Sequence, residues 1–118
     1  MKIILHESPG KNKLAEIISG EIIINNVQDA LDLMADVNYQ GSDTIIIYEK
    51  NINPEFFNLH SGFLGEVLQK FANYGVRMVI LGDFSKYNSN SLNAFIIECN
   101  RGKQFLFAGS IEEAKEKL

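Results

Sequence analysis

A cluster of chemically capable side chains follows an apolar run late in the chain. Residues 76–81 read Val-Arg-Met-Val-Ile-Leu, which predicts a buried strand, and Gly82 ends the run. A carboxylate, a hydroxyl, an ammonium group and two aromatic rings come next: Asp83, Phe84, Ser85, Lys86 and Tyr87. In open α/β sheets, ligands bind outside the carboxyl ends of the strands. The sequence therefore predicts that residues 82–87 form a loop that meets a ligand or a partner.

A second carboxylate could join this loop. Glu49 directly follows the apolar run at residues 44–48, which predicts another buried strand. If the two strands are neighbours, Asp83 and Glu49 could together hold a divalent cation. Alternatively, each acid caps a loop or pairs with a lysine such as Lys86. We favour this second interpretation, because acids at strand ends are commonly loop residues.

The pair Ser85-Lys86 suggests an activated hydroxyl nucleophile. Such a dyad needs a desolvated amine that is directed at the hydroxyl, and adjacent residues in a loop usually point apart. We therefore expect that Ser85 makes a local turn hydrogen bond and that Lys86 is solvated. No catalytic residue is assigned.

The segment His60-Ser61-Gly62 precedes a predicted helix with an apolar stripe. Free amides and the positive end of the helix dipole make such a start a candidate anion or phosphorylation site at Ser61 and Gly62. The alternative, which we favour, is that Ser61 is the N-cap of the helix. Phe56 and Phe57 lie just before it and could be exposed anchors for a partner. We favour a buried role for both rings, because apolar pairs in short loops usually pack beneath them.

Composition and residue spacing argue against several other classes of function. The net charge is −4 and no run of lysine or arginine occurs, so we expect no DNA or RNA partner. No apolar run approaches the ~20 residues that span a bilayer, and the N-terminus does not resemble a signal peptide, so we expect a cytoplasmic protein without membrane contact. The two histidines lack metal-ligand spacing, Cys99 lies on an apolar helix stripe, and glycine-rich phosphate motifs are missing. We expect no metal site, catalytic thiol or cofactor.

The elements that position these residues follow the order ββαβαβαβα in one α/β domain over residues 1–118. Strands at residues 3–5 and 14–18 are predicted to form a hairpin around the turn at 8–12, with a further strand at 22–24. Helices are expected after Asn26, at 62–73, at 90–100 and after Ser110, and the other strands are at 44–48, 76–81 and 104–107. Helices between apolar strands imply parallel pairing, so we expect a mixed sheet of about five strands with packed helices.

Four segments resemble an uncharacterised bacterial family catalogued as domain of unknown function 4180: residues 26–34, 56–59, 65–71 and 82–87. The resemblance covers nearly the whole chain. It implies a small stand-alone bacterial protein and carries no known activity.

The element order and residues 61–68 are also similar to the STAS domain of anti-sigma factor antagonists. In that family a partner kinase phosphorylates a serine or threonine at the corresponding helix start, which switches the binding of a regulatory protein. The resemblance implies that Ser61 would be the switch. Two features depart from the family: His60 stands where an acidic or polar residue is usual, and the loop at residues 50–60 is longer.

We therefore expect a non-enzymatic, cytoplasmic regulatory module with STAS-like architecture that binds a protein partner. Its docking surface would comprise the Ser61 helix start, the loop at residues 50–59 and the loop at residues 82–87. The alternative is a small-ligand- or metal-binding protein, or a minor enzyme, that uses Glu49 and the second loop. An edge strand of the hairpin could support a homo-oligomer.

Overall fold

A computed structural model describes residues 1–7 and 13–118, and its strands form one five-stranded sheet. The strands are β1 (Lys2–His6), β2 (Lys13–Ile18), β3 (Ser42–Tyr48), β4 (Arg77–Leu81) and β5 (Phe105–Ala108), which lie in that order across the sheet. β1 is antiparallel to β2 and every other pair is parallel. The predicted hairpin strands are thus paired, whereas the predicted turn at 8–12 lies outside the described residues.

Four helices complete the fold: α1 (Val27–Tyr39), α2 (Phe63–Tyr74), α3 (Asn90–Asn100) and α4 (Ile111–Lys117). The predicted order ββαβαβαβα and the mixed α/β sheet are therefore confirmed. Short 3₁₀ turns occupy Glu49–Asn51, Pro54–Phe57, Leu59–Ser61 and Ser85–Tyr87. No helix in the two described ranges is long and apolar enough to cross a membrane.

Both faces of the sheet are covered, and this explains the continuous apolar strands. In β3, Ile45 and Ile47 join the large core beneath α1, α2 and α3, while Ile46 joins a smaller cluster with Ala114 of α4. Side chains alternate between the faces of a strand, so a strand covered on both sides is apolar at every position.

The starts of α1 and α4 follow one capping pattern. The amide of Asp29 donates to Asn26 Oδ1 at 2.8 Å, and the amide of Glu113 donates to Ser110 Oγ at 3.2 Å, which confirms both predicted N-caps. The reciprocal bonds differ from those of a capping box, in which the acidic side chain binds the amide of the cap residue itself. The Asp29 carboxylate accepts from the amide of Asn25, and the Glu113 carboxylate accepts from that of Gly109, so each binds the residue before the cap.

Two local predictions are wrong. Residues 22–24 do not extend the hairpin, because Ile24 forms an isolated parallel bridge with Ile52 outside the sheet. Ser61 is not the N-cap of α2, because it ends the preceding 3₁₀ turn and Gly62 takes the cap position with φ 78°. Glycine adopts this left-handed conformation without steric strain, which allows the chain to turn from one helix into the next.

Candidate functional site

The carboxyl ends of β3 and β4 bring the two predicted site segments together. Tyr48 of β3 pairs with Leu81 of β4, so Glu49 and Gly82 begin two neighbouring loops at the same edge of the sheet. We call the surface built by these loops, residues 49–60 and 82–91, the carboxyl-edge surface.

Glu49 is the centre of a polar cluster at this edge. Glu49 is 8% exposed, and its two carboxylate oxygens have different partners. Lys86 Nζ contacts Oε1, and the Tyr87 hydroxyl donates to Oε2. Burial, together with the hydrogen bond to Glu49, raises the pKa of Tyr87 above its ordinary value of 10. The cluster therefore holds a neutral tyrosine and an ammonium group on one buried carboxylate.

Asp83 belongs to a separate, exposed turn. Its Oδ1 accepts hydrogen bonds from the Ser85 amide at 3.0 Å and from the Ser85 hydroxyl at 2.7 Å. These bonds from the Ser85 hydroxyl and amide lower the pKa of Asp83 below its ordinary range. This is the Asx turn expected for an aspartate at a loop start.

The groups that each of the two chemical hypotheses needs side by side bind different partners. The Asp83 carboxylate binds Ser85 and the Glu49 carboxylate binds Lys86 and Tyr87, so the two acids are directed at different partners. Ser85 and Lys86 likewise contact different carboxylates rather than each other. Among residues 1–7 and 13–118, no group of three or more His, Cys, Asp or Glu side chains could hold a metal ion.

Aromatic rings anchor the loops to the core. Phe56 and Phe57 are 0% and 3% exposed, in agreement with the favoured buried interpretation. The Phe57 ring stacks on Tyr87 with centroids 4.8 Å apart and also contacts Phe84 at 5.8 Å. Phe84 packs edge-on against Phe107 of β5 at 5.1 Å. The loop at residues 82–87 is thus fixed by its rings as well as by Glu49.

A half-open cavity of about 320 Å³ lies between the two loops. Its lining combines polar side chains with apolar ones, among them the Phe57 and Tyr87 rings. The lining residues are Pro54, Glu55, Phe57, Asn58, Leu59, His60, Tyr87, Ser89 and Ser91.

Ser61 is exposed and lines a different cavity, near the start of α1, whereas its neighbour His60 lines the cavity between the loops. Its hydroxyl is within hydrogen-bond distance of the carbonyl oxygens of Glu55 (3.0 Å) and Asn58 (2.8 Å), and it accepts from the amide of Phe63 at 3.2 Å. Ser61 therefore still binds the first turn of α2, although Gly62 holds the cap position. Ser61 and the loop at residues 82–87 both lie at the carboxyl edge of the sheet, as expected for segments that follow parallel strands.

Sequence reasoning missed Asn51, which is 0% exposed. Its Nδ2 donates to the carbonyl oxygens of Ser19 (2.9 Å) and Glu21 (2.7 Å), and its own carbonyl accepts from the amide of Ile23 at 2.7 Å. Asn51 thus ties the carboxyl-edge surface to the connection between β2 and α1. Because its partners are backbone groups about 30 residues away in sequence, no local pattern could reveal it.

A second polar cluster was also missed, on the face of the sheet that α4 covers. Glu16, 7% exposed, binds His6 Nε2 at 2.8 Å and the Tyr48 hydroxyl at 2.6 Å, and Lys115 Nζ lies 3.4 Å from His6 Nδ1. Burial acts to raise the pKa of Glu16, but the bonds from Tyr48 and His6 and the nearby positive charges leave it below 4.5. The available signal was a lone acid inside the apolar run of β2.

No curated protein and no solved structure matches this chain, and the similarity to STAS domains therefore stays a prediction. A family model described as "Domain of unknown function (DUF4180)" matches residues 10–118, and the chain belongs to that family.

Proposed function

We propose that this protein is a non-enzymatic, cytoplasmic regulatory module that binds another protein through the carboxyl-edge surface. The observation that carries the proposal is that the reactive groups of this edge bind one another. Both oxygens of Glu49 have partners, and Asp83 is bound by Ser85. A general acid, base or nucleophile needs to reach a substrate, whereas these groups stabilise the loops that carry them.

The form of the surface also favours a protein partner. The cavity between the loops is half-open, whereas sites for small molecules usually enclose most of the ligand. Its lining offers the Glu55 and His60 side chains and the hydroxyls of Ser89 and Ser91. A partner could therefore form hydrogen bonds with these groups and pack an apolar group against the Phe57 and Tyr87 rings.

Rigidity of the loops would help such binding. Tyr87 is held by Glu49 and stacks on Phe57, which is itself buried. A surface that is ordered before binding loses less conformational entropy when the partner arrives. The Glu49 cluster would thus act as a structural clamp for the docking surface.

Ser61 offers a means of regulation, in line with its proposed role as a phosphorylation site. Its hydroxyl contacts the carbonyl oxygens of Glu55 and Asn58, and both of these residues line the cavity. Phosphorylation would replace the hydroxyl proton with a dianion close to two carbonyl oxygens. We infer that the modified turn would separate from Glu55 and Asn58, and that the docking surface would change shape.

Site-specific photo-crosslinking tests this function. A photo-reactive amino acid placed at Ser91 should give one discrete protein adduct in cells, and the same amino acid at Glu116 on the exposed side of α4 should not. Purified wild-type protein should compete for the adduct, whereas a Glu55→Lys/Ser91→Arg double variant should compete at least about tenfold less well. A turnover or a small-molecule thermal shift that Glu49→Gln abolishes would support the enzyme or ligand alternative instead.

The proposed phosphorylation switch at Ser61 can be tested separately. Protein phosphorylated at Ser61, or a Ser61→Glu variant, should lose the adduct, whereas Ser61→Thr keeps the hydroxyl and should retain it. If the adduct survives phosphorylation unchanged, Ser61 is not the switch, although the docking function itself would still stand.

A further inference from the structure

The two edge strands of the sheet, β1 and β5, differ in how their outer backbone groups are bonded. An edge strand presents a row of N–H and C=O groups that can pair with a further strand. In β5, the carbonyl of Ala108 faces β4, where it accepts from the amide of Gly82 at 3.0 Å. Successive residues of a strand direct their backbone groups to opposite sides, so those of Phe107 face away from the sheet.

The side chain of Asn100, at the end of α3, closes this edge. Asn100 Nδ2 donates to the carbonyl oxygen of Phe107 at 3.0 Å, and the amide of Phe107 donates to Asn100 Oδ1 at 2.9 Å. The side-chain amide therefore makes both bonds that a residue of a sixth strand would make at this position. The β5 edge is thus blocked at Phe107 by the chain itself.

The β1 edge has no comparable cover. Within residues 1–7 and 13–118, no backbone–backbone hydrogen bond joins β1 to a segment other than β2. Its apolar side chains are also accessible: Leu5 is 36% exposed, and Ile3 and Ile4 are partly exposed. An open edge with accessible apolar side chains favours the addition of a strand.

A single open edge fixes the number of copies that can assemble. When the β1 strands of two copies pair, both open edges are used, and the outer edges of the joined sheet are the two β5 strands that Asn100 blocks. The assembly therefore closes at two copies, whereas a sheet with two open edges could grow into a fibre.

The sequence of β1 is complementary to itself in this arrangement. A two-fold axis perpendicular to the sheet makes the two β1 strands antiparallel and keeps each face of the sheet continuous. Opposite residues then share a face, so the axis passes through a residue and not between two residues. With the axis at Ile4, Ile3 lies opposite Leu5 of the second copy and Lys2 lies opposite His6. This register pairs all five residues of the strand, and each apolar side chain meets an apolar one.

We propose that the protein forms a two-fold symmetric homodimer in which the β1 strands of two copies pair antiparallel about Ile4 and make one continuous sheet. Two five-residue strands bury less area than a standard interface, so we expect a reversible dimer with a dissociation constant of about 10–500 μM. The carboxyl-edge surface stays accessible in each copy, because β2 separates β1 from the strands that carry it. The inference does not rest on the function proposed for that surface.

Cysteine cross-linking of the full chain tests the register, in a Cys99→Ser background that removes the natural thiol. Ile4→Cys places two thiols at the axis, where opposite Cα atoms are about 4.5–5.5 Å apart and a disulfide can form. Lys2→Cys is the matched control, because the two Lys2 residues are four positions apart along the paired strands, or about 14 Å. Lys2 is the more exposed of the two, so chance collisions favour the control. We expect the Ile4→Cys dimer to form at least about tenfold faster under mild oxidation.

Sedimentation equilibrium of the protein with its natural sequence at β1 measures the association itself. Leu5→Lys should weaken it by about tenfold or more, because the charge replaces an apolar contact. Ile97→Lys makes the same change at a side chain of α3 that is 60% exposed, and it should alter the association by less than about twofold. A wild-type chain that stays monomeric up to about 1 mM would overturn the proposal. Equal cross-linking rates of the two cysteine variants, or equal effects of the two lysine variants, would overturn it as well.

Discussion

Gly82 and Glu49 approach so closely that a Cβ atom on Gly82 would lie 2.8 Å from the Cβ of Glu49. The two residues follow the paired strand ends Tyr48 and Leu81, so the sheet itself brings their backbones together. The nearest atom is at the base of the Glu49 side chain, which cannot rotate away as a flexible side-chain tip could. Glycine at position 82 is therefore a steric requirement of the Glu49 cluster.

Gly82→Ala should consequently destabilise the protein by about 1–3 kcal/mol, because the added methyl group displaces Glu49 or the strand ends. The free energy of unfolding in urea measures this change. Gly65→Ala is the matched control: a Cβ at Gly65 meets no atom within 4 Å, and its position in α2 favours alanine by up to about 1 kcal/mol. Equal stability of Gly82→Ala and the wild type would contradict the steric argument.

The hydroxyl of Tyr87 should contribute measurably to stability. Tyr87→Phe leaves one oxygen of the buried Glu49 carboxylate without its donor, and we expect a loss of about 1–3 kcal/mol in urea unfolding. Tyr74→Phe, in a ring that is 70% exposed, should cost less than about 0.5 kcal/mol. A double-mutant cycle with Glu49→Ala, which removes both acceptor oxygens, isolates the pair, and a coupling energy near zero would show that the bond stabilises nothing.

Alkaline pH should destabilise the protein through two tyrosines. The hydrogen bond to Glu16, together with burial, raises the pKa of Tyr48 to about 12, and burial with the Glu49 bond raises that of Tyr87 further. The unfolded chain therefore loses these protons near pH 10 while the folded protein keeps them, so stability falls as the pH rises from about 10 towards 12.

Urea unfolding at successive pH values measures this loss, and tyrosinate absorbance follows the titration directly. Tyr48→Phe should reduce the loss of unfolding free energy at alkaline pH, and it should remove one of the tyrosines that lose their proton only above pH 10. Tyr39→Phe, which alters a ring that is 93% exposed, should leave the decline unchanged. A Tyr48→Phe profile that matches the wild type would contradict the assignment.

The elements were predictable because each carries its own local signal. Asn26 and Ser110 cap helices through their side-chain oxygens, and Gly75 ends α2 with φ 68°. The apolar run that includes Ile45, Ile46 and Ile47 indicated a strand covered on both faces.

The site was predictable in location but not in its contacts. The sheet topology alone brings Glu49 beside the loop at residues 82–87. Its hydrogen bond with Tyr87, which is 38 residues later in the sequence, depends on the conformation of that loop. Ser61 was assigned to the wrong position because the 3₁₀ turn Leu59–Ser61 shifts the start of α2 by one residue. Glu16 meets Tyr48 only through the pairing of β2 with β3, which periodicity within either strand does not specify.

Acid should weaken the fold through Glu16. Burial opposes ionisation of this carboxyl, but hydrogen bonds from Tyr48 and His6 and the positive charges of His6 and Lys115 leave its pKa below the ordinary 4.5. The ionised form therefore stabilises the folded state above about pH 4.5, and this contribution disappears as the pH falls through the lower folded pKa.

Glu16→Gln, which cannot ionise, should lower stability at pH 7 and make the loss of stability in acid shallower. Glu21→Gln, on the exposed loop after β2, should do neither. Urea unfolding between about pH 2 and 7 measures both effects. An acid decline in Glu16→Gln as steep as that of the wild type would assign the acid sensitivity to other carboxylates.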